Sequence, residues 1–571
     1  MIKQIFKILP RAFRRRGIGV AVTLFVRALL NMVGLAMLLP VLALALQPEA
    51  LTGDGVLAQF YMWGGFHSAA HFAWAIAGLI IGLIALKCLL NFLLARSERR
   101  YIYDLYSYLS RQLYTRYHAL GLPFIKQYNS AVLTRNVNVV CLSFTAGVLK
   151  PFATIASELM LLVLLFAALA WYAPLAALLT VGVFLPATWG YYRFVRRRIN
   201  RYGEAENRAH REKARIVNET FRGYADIELC DAFPMMLERF DRAMQEVVVT
   251  RSREADIGLL PAMVTELGLA IGVALLAALS MTLGDGNGEL IFGVFAVAAL
   301  RLMPSVRGLL AAWTKVRYNR YTIGVLCEAL QEEVAATMQE PLSELPFEHE
   351  IAVRDLSFAY PDGETPLFKE LSLTIRKGER IGIRGVSGAG KTTLFNLLLG
   401  FYEPTAGAIE IDGVPLNAQS RRAWQQRVGY VSQNLFVVDG SFAENVALGV
   451  PREAIDRERV LEVLRAAQLG ELIDQQPQGI DTPVGEGGCR LSGGQRQRIG
   501  IARALYRRAD VLLFDEATSS LDARTEQEIN HSIARLAAEN SRLTLLVIAH
   551  RESSLAACDR ILTIENSTIY G

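Results

Sequence analysis

The sequence predicts a membrane protein of two unlike parts: an all-α domain of six transmembrane helices, followed by an α/β domain built on a phosphate-binding loop. Three observations predict it. The 571-residue chain is 52% hydrophobic with a mean hydropathy of +0.27, and its apolar excess sits almost entirely before residue 325, too apolar and too long for one soluble domain. From Glu350 onward, short alternating runs such as Ile351-Ala352-Val353-Arg354 and Leu371-Ser372-Leu373-Thr374-Ile375 take over, as strands require. Between the apolar run Arg380-Ile381-Gly382-Ile383-Arg384 and a helix-like run at 394–399 lies Gly385-Val386-Ser387-Gly388-Ala389-Gly390-Lys391-Thr392, which fits G-x-x-x-x-G-K-[ST] with the strand and helix that motif needs.

In chain order, residues 1–17 set six Lys and Arg side chains around Ile5, Phe6, Ile8, Leu9 and Phe13, predicting a basic amphipathic helix at a membrane surface. The apolar run that follows, 18–46, is too long for a signal peptide core and predicts a retained first span. Further spans are expected at 70–94, 147–169, 175–191, 257–279 and from 290 into the 300s, so that the membrane domain covers 18–325. The connections 47–69, 171–174 and 282–289 contain no Lys or Arg, whereas 96–100, 193–201 and 317–320 are basic. By the positive-inside rule, the N-terminus, the two long loops and the C-terminal half are cytoplasmic.

The long loops 95–146 and 192–256 are rich in charge yet keep helical apolar spacing, predicting helices that continue beyond the bilayer. Breakers interrupt them at 122–130 and 223–234, where transverse helices touching the nucleotide domain are expected. Residues 326–349, with Pro341 and Pro346, read as a linker, and 350–571 as the α/β domain. Six cysteines without C-x-x-C spacing predict free thiols, and the seven histidines form no ligand-spaced cluster. The net charge of +5 is modest and sits at the ends of apolar spans, so nucleic acid is not expected as a partner.

The loop's chemistry is explicit. Gly385, Ser387, Gly388, Ala389 and Gly390 let backbone N–H groups curl around a phosphate chain, Lys391 meets the β and γ phosphates, and the Thr392 hydroxyl, followed by Thr393, ligates Mg²⁺. ATP and Mg²⁺ are thus the expected ligands.

Tyr360, this loop, Gln433, Leu491-Ser492-Gly493-Gly494-Gln495, Val511-Leu512-Leu513-Phe514-Asp515-Glu516, Ser519-Ser520-Leu521-Asp522 and His550 follow one another in the order of a known family. From about residue 350 the chain resembles the nucleotide-binding domain of ABC transporters, and 1–325 resembles the six-helix domain of an exporter-type half-transporter. The resemblance implies that Tyr360 stacks on adenine, Asp515 holds Mg²⁺, Glu516 polarises the attacking water, Gln433 senses Mg²⁺ and the γ-phosphate, and His550 contacts that phosphate. Ser492, Gly493 and Gly494 precede a helix expected from Gln495 to Leu505, whose free N–H groups favour an anion. In the family that anion is ATP held by a second subunit, with Asp522 beside it, so one cassette per chain implies a dimer, here a homodimer because no element of the site is degenerate.

Residues 223–240, Leu260-Pro261 and Glu266 also resemble the lipid-linked oligosaccharide flippases. An amphipathic or lipid-linked substrate is therefore expected, moved from the cytoplasmic side of a cell's inner membrane by alternating access. Export of peptides or drugs, uptake of siderophores, and a membrane ATPase without transport are the alternative readings. Only intramembrane charges bear on substrate. Glu158, Glu266 and Arg301 are costly in lipid and should face the bundle interior or one another, either contacting substrate or fixing helix packing. Arg301 falls roughly mid-membrane, at ~1.5 Å per residue from the outer end of its helix.

Overall fold

The computed structural model describes residues 1–37, 56–65, 68–172, 174–283, 288–331, 342, 344–360, 363, 365–518, 522, 524–529, 531–532, 542–549, 551–556, 558–565 and 567–570. Within the helices, the side chains of 35–36, 56–58, 60, 69, 172, 175–176, 179, 276–277, 279–301, 331 and 553 stand outside that description. The chain divides into two units, Met1–Leu120 with Phe124–Val334, and Gly121–Pro123 with Ala335–Gly571.

The first unit is helical. Its long helices are Arg11–Ala36, Ala69–Ala119, Lys150–Tyr172, Pro174–Arg222, Phe233–Leu283 and Gly288–Tyr318. Two of them run for 51 residues and one for 49, about 75 Å at 1.5 Å per residue against a hydrocarbon core of roughly 30 Å. Each therefore continues well beyond a bilayer. Short helices Gly121–Gln127 and Tyr224–Leu229 form where the breakers fall. Among the described residues four helical stretches are long and apolar enough to cross a membrane, Arg11–Gly34, Ala70–Ala119, Ser130–Trp171 and Phe233–Leu275. The expected fourth and sixth spans lie in Pro174–Arg222 and Gly288–Tyr318, helices with apolar ends partly outside the description.

Three expectations are corrected. The N-terminal amphipathic segment is two helices, Ile2–Ile8 and the start of Arg11–Ala36, because Leu9 is extended (ψ 120°) ahead of Pro10. Its apolar side chains divide rather than all facing a membrane surface: Ile5, Ile8, Leu9 and Phe13 are buried in a cluster with Leu105, Leu109 and Leu113, while Phe6 is exposed. The linker begins later than residue 326, since Tyr321–Gln331 is a helix whose Ile323, Leu326 and Ala329 are buried. Its far end is core, with Leu345 and Phe347 buried and Phe347 edge-on to Trp424 at 5.7 Å.

The helix carrying the third span is not a continuous α-helix. Two π turns, Asn136–Val140 and Thr145–Leu149, interrupt it on either side of Cys141–Phe144. The extensions also hide an ionic centre. Glu206, on Pro174–Arg222, is 6% exposed and accepts hydrogen bonds from Arg251 (2.6 Å), from Tyr318 and, on protonation of that nitrogen, from His210 (3.2 Å). The helices meet closely there: a Cβ on Gly203 would lie 1.9 Å from the Tyr318 carbonyl oxygen.

The second unit holds two sheets. One is antiparallel, in the order β2 (Phe368–Arg376), β1 (Glu350–Phe358), β4 (Ala406–Ile411), β5 (Val414–Pro415). The other runs β10 (Thr568–Tyr570), β9 (Arg560–Glu565), β3 (Arg380–Gly385), β8 (Thr544–Ile548), β7 (Val511–Asp515), β6 (Val428–Val431). All its pairings are parallel except β10 with β9. Central strands buried on both faces read as continuous apolar runs, which is why β7 is buried at every position. That arrangement brings the C-terminal ends of β3, β7 and β6 to one edge, where ligands of such sheets bind.

Candidate nucleotide site

The phosphate loop leaves the end of β3 and enters helix Lys391–Leu398 through Gly390, which is left-handed (φ 96°). No other residue fits there, since a Cβ would lie 2.8 Å from Phe368 Cζ. The Lys391 ammonium, 6% exposed, donates to the carbonyls of Gly385 at 2.9 Å and Val386 at 3.1 Å, which folds it over the loop. Gly388 is also left-handed (φ 84°) with open space around it, so the loop's centre offers backbone rather than side chain.

Asp515 and Glu516 end β7 and point apart in role. Asp515 is 1% exposed; Thr392 Oγ1 donates to its Oδ1 at 3.2 Å and the Tyr430 hydroxyl to its Oδ2 at 3.3 Å. Burial holds its carboxyl above the ordinary aspartate range; the two hydroxyl donors oppose that shift, and the neighbouring Glu516 charge adds to it. A buried carboxylate beside a threonine hydroxyl is an oxygen donor set suited to a hard divalent cation, so these residues fit Mg²⁺. Glu516 has a positive φ of 51° and its N–H donates to the Ile548 carbonyl at 3.0 Å, a strained backbone locked by the next strand. Its carboxylate accepts from Gln433 Nε2 at 2.8 Å. Gln433 and Glu516, expected in separate roles, are thus in contact.

Tyr360 presents a ring 39% exposed, its edge-on neighbours Phe358 and Tyr402 at 5.1 and 5.6 Å, and its hydroxyl 2.7 Å from that of Thr393. The ring is fixed at its hydroxyl end and remains partly exposed. At the signature, helix Gly493–Tyr506 starts two residues earlier than the sequence suggests, because Ser492 caps it. Gln495 N–H donates to Ser492 Oγ at 3.2 Å and Ser492 N–H to Gln495 Oε1 at 2.9 Å, a reciprocal box that satisfies one terminal amide and leaves those of Gly493 and Gly494 at the tip. Asp522 accepts from the Thr525 N–H at 3.0 Å, anchoring its turn. His550 and the Ser519-Ser520-Leu521 stretch lie outside the described residues.

Sequence reasoning missed Tyr430. Its signal was slight: one aromatic in the four-residue strand Val428–Val431, paired in register with Leu513, two residues before Asp515. Among the membrane charges, Glu158 is half-buried against Gly308, the nearest approach of a Gly308 Cβ being 3.7 Å, and its Oε2 is buried without a hydrogen bond. Glu266 differs from expectation: it is exposed and forms no ion pair among the described residues. The opposite edge of its helix turns inward, where Gly268 packs against Phe184. The Arg301 side chain lies outside the description. The sequence also passed over Arg27, which pairs with Glu98 at 2.6 Å between the first two long helices.

Residues 368–519 match the ABC transporter family model. The chain is 31% identical over 555 residues to the ATP-dependent lipid A-core flippase of Bordetella avium (strain 197N), covering 94% of this chain and 90% of that protein. It is likewise 31% identical over 558 residues to the flippase of the same description from Bordetella pertussis, covering 95% and 85%. Among solved structures, that of a bacterial Atm1-family ABC exporter with ATP bound superposes with a TM-score of 0.79 at 24% identity, over 98% of this chain and 95% of that one. That likeness establishes a shared fold.

Proposed function

The chain belongs to the ABC transporter family as an exporter-type half-transporter, and from that premise we propose that it is an ATP-driven flippase for a phosphorylated, lipid-anchored saccharide of the lipid A-core kind. The observation that carries the ATPase is the pairing at the end of β7. Asp515 is sequestered with Thr392 under the phosphate loop, and Glu516 is held toward Gln433. The relatives' described activity supports the substrate class.

In this reading the amides of Gly388, Ala389, Gly390, Lys391 and Thr392 cradle the phosphates, and Lys391 leaves the carbonyls of Gly385 and Val386 for the β and γ oxygens. Thr392 and Asp515 hold Mg²⁺, which when bound neutralises charge on those oxygens. Glu516 accepts a hydrogen bond from the attacking water and so orients it, while Gln433 keeps the carboxylate aimed. Tyr360 offers its partly exposed ring to adenine. His550 is assigned the γ-phosphate contact. The tip amides of Gly493 and Gly494, with Ser492, Gln495 and Asp522, close over ATP bound by a second copy, making a homodimer the working unit. The chain is a multi-pass membrane protein, placed by this reading in a bacterial inner membrane with N-terminus and cassette in the cytoplasm.

Reconstitution tests the proposal. Proteoliposomes of the purified chain should move a fluorescent lipid A-core analogue between leaflets with Mg²⁺ and ATP, and that lipid should stimulate ATP hydrolysis. Hydrolysis without movement of this lipid, in a preparation that moves a peptide or drug instead, would reject the substrate class.

A further inference from the structure

Where the fourth and sixth long helices leave the expected membrane region, they border an open pocket of about 490 Å³, within the usual size of a ligand site. Five arginines line it: Arg193, Arg196 and Arg197 from Pro174–Arg222, and Arg317 with Arg320 from the end of Gly288–Tyr318 and the turn after it. No Asp or Glu lines it, and none of the five forms an ion pair among the described residues.

Topology alone asks only for basic residues on the cytoplasmic side; it does not ask that they converge. These converge and are held. Arg193 sits over Trp189 at 5.8 Å, Arg196 over Tyr192 at 5.6 Å and Arg317 over Trp313 at 5.5 Å, while Tyr192 and Trp313 contact each other at 4.9 Å. Rings that support a guanidinium on its face leave N–H groups at its rim for a planar or tetrahedral anion, and of these three Arg317 shares its fork with the Tyr192 side chain. Burial pushes Arg317 below its ordinary value, and the like charges of Arg196 and Arg320 push the same way against the partial relief from Tyr192. Crowding of this kind without an acid is relieved by a bound anion.

We propose that this pocket binds the phosphate groups of an anionic lipid headgroup at the cytoplasmic face, before any translocation. Charge sets the number of phosphates. Each phosphodiester of a phospholipid carries a single negative charge at neutral pH, so a headgroup with two phosphates offsets five guanidiniums better than a headgroup with one. The flippase reading bears on where such a lipid comes from; the site itself stands without it.

The test is a binding measurement that needs no turnover. The full-length chain in nanodiscs, with its phosphate loops saturated by a non-hydrolysable ATP analogue, is exposed separately to cardiolipin, phosphatidylglycerol, phosphatidylcholine and inorganic pyrophosphate, and bound equivalents are counted by native mass spectrometry. Cardiolipin should bind more tightly than phosphatidylglycerol and far more tightly than phosphatidylcholine. Arg196→Gln with Arg317→Gln should weaken cardiolipin at least tenfold, while Arg196→Lys with Arg317→Lys retains part of it; melting temperature and basal ATP hydrolysis check that the variants fold. Pyrophosphate binding as tightly as cardiolipin, and lost in the same Gln variant, would keep the site and make a soluble diphosphate its ligand. Equal cardiolipin binding by wild type and the Gln variant overturns the proposal. Binding intact in a chain that moves no lipid would instead count against the flippase reading alone.

Discussion

Asp515 and Glu516 are adjacent carboxylates with opposite surroundings, and their substitutions should separate accordingly. Glu516→Gln keeps the shape and the Gln433 contact but removes the carboxylate to which the proposed function assigns the orienting of water. Turnover should fall ~10²–10⁴-fold, with ATP affinity little changed because the loop amides and Lys391 supply it; stopped-flow nucleotide binding beside steady-state hydrolysis checks both. Asp515→Asn should abolish Mg²⁺-dependent hydrolysis and yet raise the melting temperature, by about 1 kcal/mol of stability. Its folded carboxyl is held above the unfolded value of about 3.9, so ionisation weakens the fold at neutral pH and protonation restores it. The stability gap between variant and wild type should therefore close as pH falls through the folded pKa. A gap that widens on acidification would contradict the burial argument. These two acids were legible from sequence because an apolar strand ending in Asp-Glu has few other uses, whereas Tyr430, donating from a neighbouring strand, needed the register of β6 against β7 to be seen.

Among elements, the charged helical extensions were readable as helices but not as a packed body, since their charge density suggests a solvated surface. Glu206 shows why that inference fails: one buried acid gathers Arg251 and Tyr318 from two other helices, and a list of charges along one helix cannot reveal it. Burial would raise its pKa, but hydrogen bonds from His210 and Arg251 and the Arg251 charge prevail and lower it. Its contribution is present above the unfolded glutamate value of about 4.3 and is lost as pH falls through the lower folded value. Glu206→Ala should cost ~2 kcal/mol at pH 7, whereas Glu238→Ala, at an exposed pair with Arg242, should change stability by less than ~0.5 kcal/mol. Gly203→Ala should cost ~1–3 kcal/mol, since the Tyr318 backbone it would strike has no rotamer with which to yield. Melting curves of the three variants test the ranking. Pro10 was as visible as any residue, yet the helix it divides was expected whole because the apolar spacing continues across it.

For the whole molecule, the proposed site shared between two copies makes assembly part of the chemistry. Chains carrying Lys391→Ala and chains carrying Ser492→Arg should each hydrolyse ATP poorly, and their co-expression should recover activity through mixed dimers that hold one intact site. No recovery, with mixed dimers demonstrated by tag pull-down, would mean that each chain completes its own site. The fold class and the order of parts could be read from hydropathy and motifs; the phase of the third span could not. Each π turn, at Asn136–Val140 and Thr145–Leu149, takes up one residue more than an α turn, and one residue is ~100° of azimuth. Together they advance the outer part of that span by ~200° relative to an uninterrupted α-helix begun at Ser130. Whether Glu158 meets Gly308 or lipid is thus decided earlier in the chain, at the two π turns. Removing one residue from each π turn would leave the span's length and hydropathy nearly unchanged and swing that carboxylate to the opposite side, as a cysteine at 158 would report by exchanging protection for labelling from the bilayer.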